Sequence, residues 1–347
     1  MADHQPLRIG LIGAGANTRE RHIPGFRAIP GVELVGVVNR SPESTLHVAT
    51  EFGIPRAYAD WRQLVDDPNI DAVCIGTWPN LHCEVTCAAL AAGKHVLTEA
   101  RMARNVAEAR QMLAASQAHP HLVAQIVPSP FGLVPHTWLK SIIDGGFLGT
   151  LREVVVLGAD DMFWDYSKLL HWRQDNEISG LNVLALGIIH ETLCRFVPSP
   201  TRVFAQSSIH EPLRPHPEQT GQVPVSVPDN VQIVTQLPEG ARGIYHISGS
   251  VLFGPGKQIH LYGSRGTIKY LMAPEEQIWT GRAGDTALRL IDLPAAERGG
   301  WRVEAEFVGA IRGQEKVQFT DFPTGVKYME FTEAVAKSAA TGVPVEL

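Results

Sequence analysis

Residues 7–18, Leu-Arg-Ile-Gly-Leu-Ile-Gly-Ala-Gly-Ala-Asn-Thr, constrain this chain more than any other stretch. An apolar run with strand character leads into Gly13 and Gly15, then into a segment able to open a helix. Gly13 permits a tight turn and Gly15 lets the backbone approach a pyrophosphate, whose charge a helix start stabilises. A second apolar run, Val32–Val38, follows at the spacing of a strand–helix–strand unit, the context such a glycine pattern needs. A nicotinamide dinucleotide is therefore expected at Gly13, Gly15, Ala16, Asn17 and Thr18, with Thr18 where a third glycine or alanine often stands. A bare structural turn is the alternative.

The rest of the first 125 residues keeps this rhythm. AVCIGT, HVLTE and LVAQIV read as strands, and SPESTLHVATEFG and NVAEARQMLAAS carry helical spacing. Strands apolar on both faces and separated by helices belong to a parallel sheet covered on both sides. The expectation is a doubly wound α/β Rossmann domain over 1–125, and an α+β domain with a large, mainly antiparallel open sheet over 126–347. In that second part PHTWLKSIIDGGFLG predicts a helix, LREVVVLGA a strand, and LNVLALGIIHETLCRFV a buried helix. From Thr201 onward closely spaced strands with hairpin turns PEGAR, GSRG and RAGD predict an antiparallel meander. Two helices, around 303–311 and 326–339, close the chain, and Pro212–Pro228 reads as loop.

With 347 residues, 44% apolar and 19% charged, the chain can bury two cores, and disordered and fibrous classes are excluded. A formal charge of −6 argues against a nucleic-acid partner. The start lacks a basic segment followed by an apolar stretch, and no later apolar run approaches about 20 residues. A soluble cytoplasmic protein without a membrane partner is expected. The four cysteines show no paired spacing, so no metal or disulfide framework is expected; Cys83 and Cys87 read as small buried side chains on one helix face.

At the end of the second strand an NAD site commonly carries a carboxylate for the ribose 2′-hydroxyl, whereas this chain has Asn39-Arg40-Ser41. A 2′-phosphate can pair with Arg40 there, which favours NADP(H) over NAD(H); the other reading leaves Arg40 in solvent.

Several motifs in order, GLIGAGANTRERHIPGF, GVELVGVVNRSPE, GTWPNLH, AGKHVLTEARM, HWRQDNEISG, GSRGTIKY and FTDFPTGVKYMEFTEAVAKSAATGVPVEL, resemble the Gfo/Idh/MocA family of glucose-fructose oxidoreductase, inositol dehydrogenase and the rhizopine-catabolism protein. The resemblance implies a C-terminal sheet that builds homo-oligomers and small-molecule substrates among sugars, polyols and hydroxy compounds. It also carries Thr77, Trp78, Asn80 and His82 over as dinucleotide contacts, although Asn80 and His82 serve equally as helix caps. Glu99 is expected as a nicotinamide-ribose contact or as a helix N-terminal charge.

The catalytic positions depart from the family. Its Glu-Lys-Pro reads Glu99-Ala100-Arg101 here, so the lysine is absent. The family's aspartate four residues before a histidine falls on Leu186 and His190 when counted from Ser179-Gly180; matching Gly187 instead puts Ile189 at the histidine position. The resulting expectation has His190 as acid/base and Arg101 as an electrostatic clamp, against a core histidine and a surface ion pair. Tyr166 and His171 are the reserve proton carriers. Asp165, Trp172 and Arg173, in a loop of polar and aromatic residues from 160 to 179, are expected to bind substrate, the alternative being a domain-contact loop. Three functions remain open: an NAD(P)-dependent oxidoreductase on a sugar-like, polyol or hydroxy-acid substrate; an enzyme that oxidises transiently without net redox change; and a dinucleotide-binding protein without turnover.

Overall fold

The computed structural model describes residues 6–218, 220–273 and 275–347. Two compact units emerge, one holding the chain to Pro128 together with Arg302–Met329, the other holding Ser129–Trp301 with Glu330–Leu347. The return of Arg302–Met329 to the first unit rests on pairings far apart in sequence. Ile126 N donates to Thr320 O at 3.0 Å, and Gln125 Nε2 to the buried Glu306 Oε1 at 2.9 Å.

In the first unit β1 (Leu7–Ile12), β2 (Val32–Val38), β3 (Arg56–Ala57), β4 (Ala72–Ile75), β5 (His95–Thr98) and β6 (Ala124–Ile126) form a parallel sheet ordered β3-β2-β1-β4-β5-β6. Its strand order reverses between β1 and β4, and in sheets of this kind ligands bind at the carboxyl ends of the strands beside such a reversal. Short helices alternate with the strands: α1 (Ile23–Arg27), α2 (Pro42–Glu51), α3 (Trp61–Asp66), α4 (Pro79–Ala91) and α5 (Val106–Ala118). Local chemistry starts α2 and α5, where Ser41 Oγ accepts from Ser44 N at 3.2 Å and Asn105 Oδ1 from Glu108 N at 2.9 Å. One apolar cluster gathers Ile12, Val73, Val85 and Leu90, another Met102, Met112, Phe322 and Met329.

In the second unit α6 (His136–Asp144) precedes β7 (Leu151–Ala159). After the loop that follows β7 come α7 (Asn176–Ser179), α8 (Leu186–Cys194) and β8 (Arg202–Ser208). The expected buried helix is shorter than its apolar run because Leu184 takes φ +45°, a left-handed conformation that breaks the helical path. The stretch expected as loop contains a two-stranded ribbon, β9 (Leu213–Pro215) with β10 (Gln222–Pro224). Then follow β11 (Asn230–Gln236), β12 (Arg242–Ser248), β13 (Gly256–Gly263), β14 (Gly266–Leu271), β15 (Gln277–Arg282), β16 (Arg289–Leu290) and, near the C-terminus, β17 (Val345–Glu346).

The large sheet runs β16-β15-β14-β13-β7-β12-β11-β8-β17. The meander is thus interrupted: β7 lies between β12 and β13, parallel to the first and antiparallel to the second. The connection between those strands passes the end of β7, where Val251 N donates to Asp160 O at 2.9 Å. Alternation sends Val203, Ala205, Val231, Ile233, Tyr245 and Ile247 into a core with Leu186, Ile189 and Phe331. On the other face Phe204, Val234 and Ile244 stand directly opposite one another and are exposed. Two helices complete the chain, α9 (Val303–Ile311) in the first unit and α10 (Phe322–Thr341), whose residues through Met329 belong to the first unit and the rest to the second. Among the described residues no helix is long and apolar enough to cross a membrane.

Candidate functional site

The glycine loop follows β1 directly. Gly13 has φ +84°, and a Cβ there would come 2.8 Å from the Gly76 carbonyl carbon and the Thr77 nitrogen, so this turn and the end of β4 pack backbone to backbone. Gly15 and Ala16 are exposed and open the helical segment that precedes α1. A helix start leaves such first-turn amides without intrahelical acceptors, and they suit the oxygens of a diphosphate. The loop therefore fits the group the sequence implies.

Three expected contacts nearby are corrected by the geometry. Thr18 is buried and its hydroxyl donates to Gly13 O at 3.2 Å, so it braces the turn rather than a ligand. Asn39 Oδ1 accepts from Ala14 N at 2.7 Å while its Nδ2 donates to Ser44 Oγ at 3.0 Å and Ser44 O at 3.2 Å. Both ends of that amide are occupied in holding the loop to α2. His82 is fully buried on α4, its ring nitrogens 2.9 Å from Arg101 O and 3.0 Å from Thr77 O. Burial pushes its pKa down, and the ring ties the end of β4 to the segment after β5.

The remaining side chains face outward. Arg40 is exposed and its guanidinium lies 5.5 Å from the Trp78 ring centroid, joining the ends of β2 and β4. Ser41 caps α2. Thr77 Oγ1 donates to Trp78 O at 3.2 Å. Asn80 is half-buried in the first turn of α4 and, among the described residues, makes no side-chain hydrogen bond, so it does not cap that helix.

Glu99 follows β5 at the same end of the sheet. Its Oε1 accepts from Asn17 Nδ2 and, at 2.9 Å, from His22 Nε2; Oε2 accepts from Ala100 N at 3.3 Å. His22 Nδ1 in turn donates to Glu304 Oε1 on α9 at 2.5 Å. Burial alone would lower the pKa of His22, yet its hydrogen bonds to both carboxylates outweigh it and raise the value to about 9. Burial would raise the Glu99 pKa, but His22 and Asn17 hold it below the usual range. His22 and Glu304 were not among the residues expected at the site, and they lie 282 positions apart. A glycine inside α1, Gly25, is the one local hint, since a Cβ there would meet Glu304 Oε2 at 2.6 Å.

Arg101 is only 1% exposed, with its carbonyl held by His82. It is an interior side chain, which corrects the surface ion pair; a clamp on a ligand arriving from solvent would need an exposed guanidinium. His190 is corrected as well. It is 2% exposed, stacked on Phe331 with ring centroids 3.5 Å apart, and its nitrogens meet Tyr245 Oη at 3.0 Å and Cys194 Sγ at 3.4 Å. Burial lowers its pKa to about 3, so it is a neutral core residue with both nitrogens engaged.

The loop from 160 to 179 presents a different surface. Asp165 Oδ1 accepts from Ser167 N at 3.1 Å and Oγ at 2.6 Å, which folds a local turn. Tyr166 and Trp164 are exposed. His171 Nδ1 accepts from Arg173 N at 3.1 Å, which leaves the proton of the neutral ring on Nε2. Burial and then the Arg173 charge hold its pKa near 4. This histidine is a hydrogen-bond donor at neutral pH and no base. The Arg173 guanidinium lies 4.1 Å from the Trp172 ring centroid, and among the described residues its head group has no carboxylate partner.

What holds that loop was not legible in the sequence. Arg214 of β9, 1% exposed, donates to Asp165 O at 2.5 Å and to Phe163 O, and lies 5.2 Å from the Tyr166 ring centroid. Leu170 N donates to Pro215 O at 2.9 Å, and Ser226 N and Val227 N to Gln174 O at 2.9 and 3.2 Å. The proline-rich stretch is therefore a clasp on the loop.

Comparison with known proteins follows the same division. Residues 7–125 match the oxidoreductase family GFO/IDH/MocA with its NAD-binding Rossmann fold, and residues 136–269 match the GFO/IDH/MocA C-terminal domain. Levoglucosan dehydrogenase of Pseudarthrobacter phenanthrenivorans is 27% identical over 311 residues, 82% of this chain and 78% of that one. The 1,5-anhydro-D-fructose reductase of Ensifer adhaerens is 43% identical over 110 residues, 32% of this chain and 33% of that enzyme's length. A solved levoglucosan dehydrogenase in complex with NADH and L-sorbose superposes with a TM-score of 0.88 at 25% identity, covering 98% of each chain.

Proposed function

From the premise that this chain belongs to the GFO/IDH/MocA family of nicotinamide-dependent oxidoreductases, we propose that it transfers hydride between NAD(P)(H) and a hydroxyl of a small sugar-like or polyol substrate. The observation that carries the reading is the backbone cradle of Gly13, Gly15 and Ala16 with Glu99 at the same end of one parallel sheet. When bound, a nicotinamide supplies the hydride acceptor. This chain's residues hold the phosphates, present Glu99, and offer Asn80 as a further polar contact.

For the substrate, the Trp172–Arg173 stack provides a flat face with a cationic edge, suited to a ring bearing many hydroxyls. His171 donates from Nε2 to a substrate oxygen. With His190 in the core and His171 confined to donation, the exposed Tyr166 is the proton carrier among the four expected catalytic residues. Anhydrosugars and polyols are the substrates to try first, since relatives act on levoglucosan and 1,5-anhydro-D-fructose. Incubation with NAD+ or NADP+ and a panel of such compounds, followed at the reduced-nicotinamide absorbance, tests this. Product without net cofactor change would move the reading to transient oxidation, and dinucleotide binding without product to a binding protein.

The end of β2 favours NADP(H), because no carboxylate stands there and Arg40 is exposed beside Ser41. Dissociation constants for NADPH and NADH decide it, a clear preference for NADH being the contrary result. The exposed row Phe204, Val234 and Ile244 supports assembly of copies through the outer face of the large sheet. Val234→Glu should then shift the molecular mass in light scattering toward the single chain, and an unchanged mass argues against that face.

A further inference from the structure

The chain of charged side chains behind Glu99 has a geometry that simple packing does not require. His22 sits between two carboxylates, 2.9 Å from Glu99 Oε1 and 2.5 Å from Glu304 Oε1, and its side chain is wholly shielded from solvent. Glu304 is 3% exposed and Glu99 16%, so the series opens to solvent only at Glu99. Oε1 of Glu99 is taken up by His22 and Asn17, while among the described residues Oε2 has only the 3.3 Å contact from Ala100 N. A carboxylate whose inner oxygen is held by two donors cannot rotate freely, and its outer oxygen retains lone pairs for one more hydrogen bond.

We propose that Glu304 and His22 are positioning residues that lock Glu99 so that its Oε2 is a fixed acceptor for a hydroxyl or amide N–H on the nicotinamide half of the dinucleotide. The proposal rests on the dinucleotide reading above. Two other titratable groups face this series and add no cation: the Cys74 thiol of β4 is pushed well up by burial and His82 of α4 is pushed down by burial. The cation of His22 is therefore what keeps Glu99 ionised and aimed. Asn17, on the phosphate loop itself, couples Glu99 to that loop.

The test compares NADH with ADP, which carries the adenine half and both phosphates but no nicotinamide riboside, on the full chain at pH 6 and pH 8. His22→Gln keeps a donor and removes the charge, so Glu99, now buried beside Glu304 without a cation, takes up a proton as pH falls. Its NADH affinity should be about tenfold weaker than wild type at pH 6 and close to wild type at pH 8, with ADP affinity unchanged at both. Gly25→Ala displaces Glu304 without altering any charged residue, and should weaken NADH about threefold or more with ADP unchanged, so it carries the test alone if His22→Gln does not fold. NADH and ADP changing in parallel, or an NADH affinity that ignores pH in His22→Gln, overturns the positioning role. A wild-type chain that binds ADP and NADH equally well overturns it too, whereas one that binds neither overturns the dinucleotide reading and this proposal with it.

Discussion

The two regions proposed to carry chemistry are built in opposite ways. In the first unit the functional groups sit at the carboxyl ends of buried parallel strands, and each is fixed by a neighbour: Asn39 by Ala14 and Ser44, Glu99 by Asn17 and His22. In the second they ride on a long loop, half of it exposed, held by Arg214 and the β9–β10 ribbon. Rigid backbone suits a ligand recognised through phosphates, whose geometry does not vary. A clasped loop suits a substrate whose identity differs between relatives of one fold.

The largest expected effect breaks the first region. Gly13→Val puts a branched side chain at φ +84° and against Gly76, and should abolish measurable NADH binding, more than about 100-fold by fluorescence titration. In the second region, Tyr166→Phe should lower kcat by about 100-fold on whichever substrate the panel identifies, because general acid–base help is typically worth that much or more, while Tm stays put at this exposed position. An unchanged kcat would return the proton to solvent or to another group.

His190→Ala sharpens the contrast between site and core. It should cost about 2–4 kcal/mol of stability by opening a cavity beneath Phe331, with kcat within a few-fold of wild type. A collapse of kcat with unchanged Tm would restore the catalytic assignment. Arg214→Met leaves the carbonyls of Phe163 and Asp165 without their donor, at about 1–3 kcal/mol each if they stay buried. The loop should then loosen, raising KM for substrate about tenfold without touching NADH affinity.

The last effect is in pH and touches stability alone. His22 has a folded pKa of about 9, above its unfolded value, so its contribution is fully present below about pH 6.5 and is lost as pH rises through 9. That is on the order of 3 kcal/mol, read as a falling Tm between those limits. Glu99 works in the other direction, its contribution present above the usual carboxylate pKa and lost on acidification. His22→Gln should flatten the alkaline fall.

The difference between the regions also explains what the sequence made legible. Glycine spacing after an apolar strand is a local pattern, so the parallel sheet, the loop at Gly13 and the polar loop after β7 were all readable. His190 misled because a histidine in an apolar helix looks the same whether it faces a ligand or stacks on Phe331; only tertiary neighbours distinguish the two. Glu304 and Arg214 were invisible for the related reason that their partners lie 282 and 49 or more positions away. β7 entered the middle of the sheet between strands that follow it by some 80 to 100 residues, a pairing that alternation alone does not specify. Thr18, Asn39 and His82, expected as dinucleotide contacts, instead spend their side chains on backbone atoms of the glycine loop and of the segments after β4 and β5, partners that the sequence does not announce.

The proposed activity requires the cradle at the ends of β1 and β4 to bind a dinucleotide for hydride transfer. Titration of the full chain with NADPH and NADH, read by calorimetry, tests it most directly. Saturable binding of one dinucleotide per chain, removed by Gly13→Val, is the expected result. No saturation by either dinucleotide up to about 1 mM, the upper end of ordinary enzyme affinities, or equal binding by Gly13→Val, would contradict it.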